Sequence, residues 1–579
     1  MVQYDCGGQV EQIGGIGHSR VSAWVTKVRS VSWVGELPAW FFAAWATALV
    51  VQRHWPYLMT PVPQCVDEGY IMALGQRLLH GRMLPYVDGA AHTGPVFIYS
   101  GALLAAFGEF NWMPIRIAAA LGSALVSVFA FACGVAAKRP LLGAIAAAGM
   151  PFYVFMTLNN IDALSYNAEL PAIMFALAGF AAAVRATDSD ARPISSGWLF
   201  TAGLLTSLTL LTKQIAALLA LAIAAYALVG VLAREDLTRR AQRRAMLFFV
   251  AGGALPALLI FGRIAVGGAL DEAFYYLVTY NRYPYMDIYR DMPLRQAYDQ
   301  WLAARPLELA LLAVSIVWAF MQLLVARENT RSWWLALVQS RFHWTVALLA
   351  IGGIVGARAS RREYDHYYLM VVPGCSLLMG LLFEHALMQL RRPSYRLASH
   401  ALILAPLVYT GQVAVKSRNQ HPTAWQLDDN YLADLPTAHK PPRVCKYIHE
   451  HVKPDEKLFV WGFRPELYVS CGRLPATRYV FTTFVSGYVP GSWAPFSKEV
   501  DDARASPGAR ERVVRELEET KPPVLVECTH SLGGRSFHDA GPLWDYIQKH
   551  YRHVRTINHD AVWLRWKPGD KNAPPDVEP

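Results

Sequence analysis

The amino-acid sequence predicts a polytopic α-helical membrane protein of about eleven transmembrane helices, followed by a small soluble α/β domain. Hydrophobic residues make up 54% of the 579 residues and charged residues 17%, whereas ordinary soluble domains contain roughly 25% charged residues. Apolar stretches long enough to cross a bilayer core of about 30 Å recur up to residue 416. Beyond that point charged residues and prolines become more frequent, which indicates a soluble segment.

The predicted spans are apolar stretches separated mostly by short connections. In chain order they occupy residues 37–58, 114–136, 140–158, 169–186, 193–212, 215–233, 246–266, 306–326, 342–358, 367–387 and 398–416. The predicted organisation is a cytoplasmic segment 1–36, a transmembrane domain 37–416, an extracytoplasmic α/β domain 417–567 and a disordered tail 568–579. The tail is rich in Pro and Asp, which is typical of disorder.

The net charge of +10 reflects membrane topology and not a nucleic-acid partner. The basic residues are concentrated in connections between spans, as in Lys138-Arg139 and Arg327–Arg341. Cytoplasmic loops of membrane proteins carry such an excess of Lys and Arg. The N-terminus is therefore expected in the cytoplasm and the chain after residue 416 outside it, in an inner (plasma) membrane. Residues 1–36 lack the pattern of a cleaved signal peptide, so the first span is expected to serve as the anchor.

Two adjacent carboxylates, Asp67 and Glu68, follow the first span. Carboxylates are costly near hydrocarbon, so a pair at the end of a span usually marks a functional site. An alternative is that Asp67 caps a helix starting near Gly69 and that Glu68 is a structural partner. Glu169 opens the fourth span, where it could orient a base or acceptor, or simply complement the positive end of a helix.

The second long outer loop, 267–305, is rich in tyrosine and arginine. The sequence leaves two interpretations open for it: an aromatic belt at the membrane interface or a mobile loop that covers a substrate.

In the C-terminal segment, helices are predicted at Arg443–His451 and Ala509–Thr520, and buried strands at Lys457–Trp461 and Pro523–Glu527. The seven cysteines show no pair close in sequence, so neither a disulfide framework nor a zinc site is predicted. Disulfides are chemically allowed for the cysteines in the outer segments, which are Cys65, Cys445, Cys471 and Cys528.

The first long outer loop, roughly residues 59–113, contains Asp67-Glu68-Gly69, then Gly75–Gly81, Leu84-Pro85-Tyr86 and Asp88. With these segments it resembles the first outer loop of GT-C membrane glycosyltransferases. The relevant branch contains protein O-mannosyltransferases, lipid A aminoarabinose transferases and related bacterial enzymes that use polyprenyl-phosphate sugars. His92-Thr93-Gly94-Pro95 stands where many relatives have a His-Lys-Pro-Pro stretch, so this chain has Thr93 in place of a lysine.

Three further matches extend the resemblance over residues 37–416. They are Asn167-Ala168-Glu169 at the start of the fourth span, Lys213-Gln214 between the fifth and sixth, and Arg361–Tyr367 before the tenth. The topology drawn from loop charge places all of these segments on the same outer face as Asp67. Loop charge and motif resemblance therefore agree on one face for the site.

The resemblance implies transfer of a sugar from a polyprenyl-phosphate donor to a lipid, glycan or protein acceptor outside the membrane. The acceptor nucleophile needs a general base, and the leaving phosphate needs positive charge, for which Arg provides a bidentate fork. The expected catalytic residues are Asp67 as base, with Glu68 and Glu169. The expected ligands of the donor phosphate are Lys213, Arg361, Arg362, Tyr364 and His366.

Simpler interpretations remain open for some of these residues. Lys213 could be a turn lysine that snorkels to the interface, and Tyr364 and His366 could be interfacial anchors. Asp67, Glu68 and Glu169 could bind a divalent metal. Because the basic residues could neutralise the phosphate, no metal or other cofactor is expected.

The competing class is a transporter or flippase of lipid-linked sugars, because charges in membrane segments also mark substrate paths. Many transporters contain repeated halves with the site at the midplane, whereas this chain shows no repeat and its charges cluster at one face. A polymerase or ligase of lipid-linked glycans is the second alternative. The expected partners are the donor, the acceptor and membrane lipids, and no nucleic acid.

Overall fold

The computed structural model describes residues 37–58, 65–157, 164–188, 194–285, 306–330, 332–359, 364–389, 442–488 and 497–566. Several predictions concern residues outside these ranges. They are the segment 1–36, the span 398–416, the domain boundary at 417, the tail 568–579, and the site residues Arg361 and Arg362.

α-Helices account for most of the described chain up to residue 389. They are α1 (Leu37–Leu58), α2 (Val66–Leu79), α3 (Pro95–Phe107), α4 (Met113–Ala136), α5 (Pro140–Thr157), α6 (Glu169–Thr187), α7 (Ser196–Thr212), α8 (Ala217–Leu232), α9 (Arg239–Val266), α10 (Leu270–Phe274), α11 (Pro306–Glu328), α12 (Trp333–Gln339), α13 (Arg341–Ala359) and α14 (Val372–Gln389). A π-helix (Tyr275–Tyr285) continues α10, and 3-10 helices occupy Gln214–Ala216 and Asp365–Val371.

A helix is present at each predicted span up to residue 387. Among the described residues, seven helical segments are long and apolar enough to cross a membrane: Met113–Ala136, Glu169–Thr187, Gln214–Leu232, Arg239–Val266, Ala310–Glu328, Arg341–Ala359 and His366–Met388. Shorter apolar helices lie at Pro95–Phe107, Pro140–Phe152 and Ser196–Thr212. The protein is thus mostly helical and suited to a membrane, while the predicted number of about eleven spans is not confirmed.

Small residues bring the helices of this bundle into close contact. A Cβ atom at Gly203 of α7 would overlap the carbonyl oxygen of Phe249 in α9, and one at Gly252 would overlap that of Phe200. Glycine permits this close approach of two backbones, which membrane helices use because apolar burial gains little in lipid. The contact holds α7, which ends next to Lys213, against the long helix α9.

The described C-terminal residues, 442–488 and 497–566, form a mixed α/β unit, called here the C-terminal unit. Its strands are β1 (Leu458–Trp461), β2 (Val524–Glu527), β3 (Tyr551–Ile557) and β4 (Asp560–Arg565), in the spatial order β1-β2-β4-β3. β1 and β2 are parallel, and the other two pairings are antiparallel. Its helices are α15 (Arg443–His451), α16 (Glu466–Ser470), α17 (Thr483–Ser486), α18 (Lys498–Arg504), α19 (Ala509–Thr520) and α20 (Pro542–His550).

Both predicted strands and both predicted helices of this unit are present in the structure, whereas the β3–β4 hairpin was not predicted. β3 exposes Arg552, His553 and Arg555, so it lacks the apolar run by which the two buried strands were found.

The prediction that the cysteines form no disulfide framework was wrong for one pair, because Cys445 and Cys471 are bonded. The fold brings α15 against the end of α16, which spacing in the sequence does not reveal.

Candidate functional site

The first turn of α2 gives its two carboxylates different surroundings. α2 begins at Val66, after the extended residue Cys65, so Asp67 lies inside the first turn and is not the cap of a helix starting at Gly69. The backbone N–H groups of a first turn favour negative charge. The side chain of Asp67 is 29% exposed, whereas that of Glu68 is fully buried. Only Asp67 can therefore meet a substrate from solvent.

Glu68 is held in a buried ion pair. Its Oε2 lies 3.1 Å from Nη1 of Arg116 in α4, and its Oε1 accepts a hydrogen bond from the backbone N–H of Tyr166 at 3.1 Å. A buried charge needs such partners to offset its loss of hydration. Glu68 thereby ties α2 to α4 and to the segment that leads into α6, which corresponds to the structural interpretation of this residue.

Asp67 faces the segment before α14. Its Oδ2 lies 3.7 Å from Nε2 of His366, in the 3-10 helix Asp365–Val371. The imidazole of His366 stacks on the ring of Tyr364, with ring centroids 5.5 Å apart. Tyr364 is half-buried and His366 is buried. Of the residues predicted as phosphate ligands, His366 thus lies beside the predicted base, and Tyr364 stacks on His366.

Glu169 and Lys213 form a second ion pair. Glu169 is the first residue of α6, and Lys213 lies in extended conformation between α7 and the 3-10 helix Gln214–Ala216. The ammonium Nζ is 3.0 Å from Oε1 of Glu169, and the two side chains are 11% and 0% exposed. Lys213 therefore does not snorkel to the interface. Its ammonium stays within the protein because a carboxylate is available there.

The two pairs belong to one cluster. Asp67 and Tyr285 are close enough to Lys213 to interact with its charge, and its Nζ lies 5.0 Å from the ring centroid of Tyr367. The hydroxyls of Tyr285 and Tyr367 are hydrogen-bonded at 2.8 Å. We call Asp67, Glu169, Lys213, Tyr285, His366 and Tyr367 the carboxylate–lysine cluster. It joins α2, α6, the end of α7, the π-helix and the 3-10 helix before α14.

Tyr285 and Tyr367 were not predicted as site residues, although both lie in segments that the sequence marked. Within the π-helix, Tyr276 and Tyr280 are buried against Phe484 of the C-terminal unit, with ring centroids 5.3 and 4.7 Å from it. An aromatic belt would face lipid, so these tyrosines fit a covering segment better. The signal was the density of tyrosines, which does not show which of them reaches the site.

His92 is the point where the first outer loop meets this covering segment. Its carbonyl oxygen accepts hydrogen bonds from the side-chain amides of Gln214, at 3.2 Å, and Asn281, at 2.8 Å. Its ring lies 4.5 Å from that of Tyr285, measured between centroids. These contacts fix Tyr285 relative to Lys213, which immediately precedes Gln214.

Tyr70, three residues after Asp67 in α2, completes the surroundings of Asp67. Burial raises the pKa of the Tyr70 phenol, and the negative charge of Asp67 raises it further. Tyr70 therefore stays neutral and donates a hydrogen bond to the carbonyl of Ala90 at 3.1 Å.

Among the residues that the structure describes, no group of three His, Cys, Asp or Glu side chains could hold a metal ion.

No family model and no curated protein matches the chain. Solved structures similar to it include those of the archaeal oligosaccharyltransferase AglB from Archaeoglobus fulgidus, a glycosyltransferase of the GT-C superfold. The complex with an inhibitory peptide and a dolichol-phosphate is 11% identical, with a TM-score of 0.43 over 92% of this chain and 75% of that one.

Two further structures of the Archaeoglobus fulgidus oligosaccharyltransferase give similar values. The complex with Zn and sulfate is 12% identical, with a TM-score of 0.44 over 90% of this chain and 73% of the other. The enzyme tethered to an acceptor peptide containing the NVT sequon is 11% identical, with a TM-score of 0.44 over 94% and 76%.

Proposed function

We propose that the protein is an integral membrane glycosyltransferase that moves a sugar from a polyprenyl-phosphate donor to a hydroxyl or amine of a lipid, glycan or protein acceptor. The observation that carries the proposal is the carboxylate–lysine cluster, in which a partly exposed carboxylate lies beside a buried lysine and two tyrosine hydroxyls. Such a cluster supplies both a proton acceptor and donors for an anionic leaving group. The site is expected to face the outer side of the inner (plasma) membrane.

Asp67 acts as the general base in this proposal. It takes the proton of the acceptor as the acceptor oxygen or nitrogen attacks the anomeric carbon of the sugar. The bond between that carbon and the phosphate oxygen breaks, and its electron pair leaves with the polyprenyl phosphate. His366, 3.7 Å from Asp67, orients the carboxylate. One displacement assisted by a base inverts the anomeric configuration, as it does in inverting glycosidases.

The leaving phosphate is stabilised by Lys213 and by the hydroxyls of Tyr285 and Tyr367. Glu169 holds the ammonium in place at 3.0 Å, so it is a positioning residue for Lys213. The cluster contains one ammonium against two carboxylates, and a phosphate brings further negative charge. Arg361 and Arg362, which shortly precede Tyr364 in the sequence, are proposed to supply the additional cations through the guanidinium fork.

The experiment is a comparison of extracted lipids and surface glycans by mass spectrometry. Cells would contain wild-type protein, no protein, or the Asp67→Asn variant at matched expression. A glycan that loses one sugar unit, with accumulation of the matching polyprenyl-phosphate sugar, in both deficient strains is the expected result. A flippase would give a different result. The donor would then accumulate on the cytoplasmic side in cells without the protein, and cells with Asp67→Asn would accumulate as little donor as wild-type cells.

A further inference from the structure

The C-terminal unit touches the helix that carries Asp67 at a glycine. A Cβ atom at Gly69 would lie 2.8 Å from the backbone nitrogen of Glu466 and 3.0 Å from its Cα. Those are backbone atoms of the first residue of α16, so they cannot move aside as the end of a flexible side chain could. The first turn of α2 is therefore seated directly on α16.

Three more contacts extend this interface along α2 and the segment after it. The rings of Tyr70 and Phe481 are stacked, with centroids 4.0 Å apart and planes at 7°. Arg77 donates a hydrogen bond to the carbonyl of Pro475 at 3.1 Å. The backbone N–H of Ala90 donates to the carbonyl of Arg478 at 2.9 Å.

The same unit also contacts the π-helix that carries Tyr285. Phe484, in α17, packs against Tyr276 and Tyr280, and its ring centroid lies 6.0 Å from that of His92. Residues 466–484 thus contact α2 and the π-helix, the two elements that carry Asp67 and Tyr285 of the cluster. One element carries the proposed base, and the other carries a hydroxyl proposed for the leaving phosphate.

We infer that the C-terminal unit is a positioning element of the catalytic centre. Through the Gly69–Glu466 and Phe481–Tyr70 contacts, the unit fixes the position of Asp67 relative to Tyr285. The inference rests on the proposed function and extends it, because it gives the unit a role in turnover. Glu466 and Phe481 touch no substrate in this scheme and act through Asp67. They are positioning residues.

Buried ion pairs hold the α16 side of this interface in place. Glu466 is anchored by Arg464, whose Nε lies 2.8 Å from Glu466 Oε1 and whose Nη1 lies 3.0 Å from Asp560 Oδ2. All three side chains are buried, so α16 is tied to the start of β4. A reacting group displaced by 1 Å can lose about 10² in rate, so a small shift at Gly69 is expected to be visible in turnover.

The first test compares Gly69→Ala with Gly197→Ala. Both glycines lie in the first turn of a helix, but a Cβ at Gly197 meets nothing within 4 Å. Gly69→Ala is expected to lower kcat by about 10-fold to 10², with the donor KM within about twofold of wild type. Gly197→Ala is expected to behave as wild type. Equal kcat values for a folded Gly69→Ala and Gly197→Ala would overturn the inference.

The second test keeps the inference falsifiable if Gly69→Ala does not fold. Phe481→Leu removes the stacking partner of Tyr70, whereas Phe537→Leu weakens the same unit at a buried ring next to Trp461 and Phe459. Amide hydrogen exchange of residues 66–72 is measured in both folded variants. Faster exchange in Phe481→Leu alone is expected, and equal exchange in the two would contradict the inference.

The exchange measurement does not depend on sugar transfer. If the wild-type protein transfers no sugar, the proposed function fails, while the exchange of residues 66–72 still decides whether the unit holds α2. If the wild type is active and the Phe481→Leu variant shows normal exchange and normal kcat, the positioning role alone fails.

Discussion

At Asp67 and Glu68 two chemically similar side chains are separated by the geometry of a helix. Neighbouring residues on a helix point about 100° apart, and here that angle directs one carboxylate to the cluster and the other to Arg116. The same residue pair in the sequence therefore contains a candidate base and a structural ion pair. The two roles predict different responses to substitution.

Asp67→Asn is expected to abolish sugar transfer while leaving the fold and donor binding intact. Loss of a positioned general base costs about 10²–10⁴ in rate, and asparagine keeps the size of the side chain and its compatibility with a helix N-terminus. Single-turnover transfer and donor affinity, measured on purified protein, provide the check. Near-normal turnover by this variant would leave Glu169 as the remaining candidate base.

Glu68→Ala is expected to destabilise the protein rather than to affect turnover selectively. It leaves the buried guanidinium of Arg116 without its carboxylate, and removing one partner of a buried pair costs about 3–5 kcal/mol. The double variant Glu68→Leu/Arg116→Met should recover part of this loss, since it removes both charges. Denaturant unfolding in detergent measures the effect. A Glu68→Ala protein of wild-type stability but without activity would assign Glu68 a chemical role.

At the scale of elements, the cluster forms where helices end. Lys213 lies in the break between α7 and α8, Glu169 begins α6, and His366 lies in the 3-10 turn before α14. Helix ends carry side chains at one face of a bundle without placing charge in the middle of a span. The π-helix Tyr275–Tyr285 adds the covering side.

Tyr285→Phe and Tyr367→Phe are each expected to weaken binding of the donor phosphate and, because the two hydroxyls are hydrogen-bonded to each other, to lower the stability by about 1 kcal/mol. A hydrogen bond to a charged group contributes about 1.5–3 kcal/mol, which corresponds to roughly 10-fold or more in affinity. Tyr283→Phe is the matched control, because Tyr283 lies in the same helix with an exposed ring. Titration with a short-chain polyprenyl phosphate provides the measurement. Affinities equal to that of the control would remove the tyrosines from the phosphate site.

At the scale of the whole molecule, the disulfide and the predicted topology point to the same side of the membrane. Cys445 and Cys471 are bonded, and structural disulfides persist in oxidising compartments outside the cytoplasm. The loop charges independently predict an extracytoplasmic C-terminal segment. The C-terminal unit, and the cluster on the helices that it contacts, are therefore expected on the outer face.

A reporter that is active only in the cytoplasm, fused after Trp425, is expected to be silent. The same reporter fused after Arg234, in a loop predicted to be cytoplasmic, is the positive control. Strong activity of the Trp425 fusion would reverse the topology and move the proposed site to the cytoplasmic face.

The double variant Cys445→Ser/Cys471→Ser is expected to lower the free energy of unfolding of the C-terminal unit by about 3 kcal/mol. Opening this crosslink returns conformational freedom to the unfolded chain. Alkylation of denatured protein with and without a reductant first establishes that the pair is bonded. An unchanged unfolding midpoint for the variant would show that the crosslink does not stabilise the unit.

The sequence by itself determined the membrane class, the positions of most helices, and Asp67, Glu169 and Lys213 as candidates. Those conclusions depend on local quantities, namely the length of an apolar run and the cost of placing charge beside it. Strands β1 and β2 were predicted for the same reason, because each is a short apolar run. β3 has no comparable run, although β4 contains the apolar residues Ala561–Leu564, so the hairpin as a whole was not predicted.

Only the tertiary structure decided which charge pairs with which. Glu68 with Arg116, Glu169 with Lys213, and Cys445 with Cys471 are contacts between distant parts of the chain. The close contact of Gly69 with the backbone of Glu466 is also of this kind, as is the hydrogen bond between the hydroxyls of Tyr285 and Tyr367. Such contacts depend on how whole helices pack, and a buried charge takes the partner that packing brings within reach, which no local pattern of residues specifies.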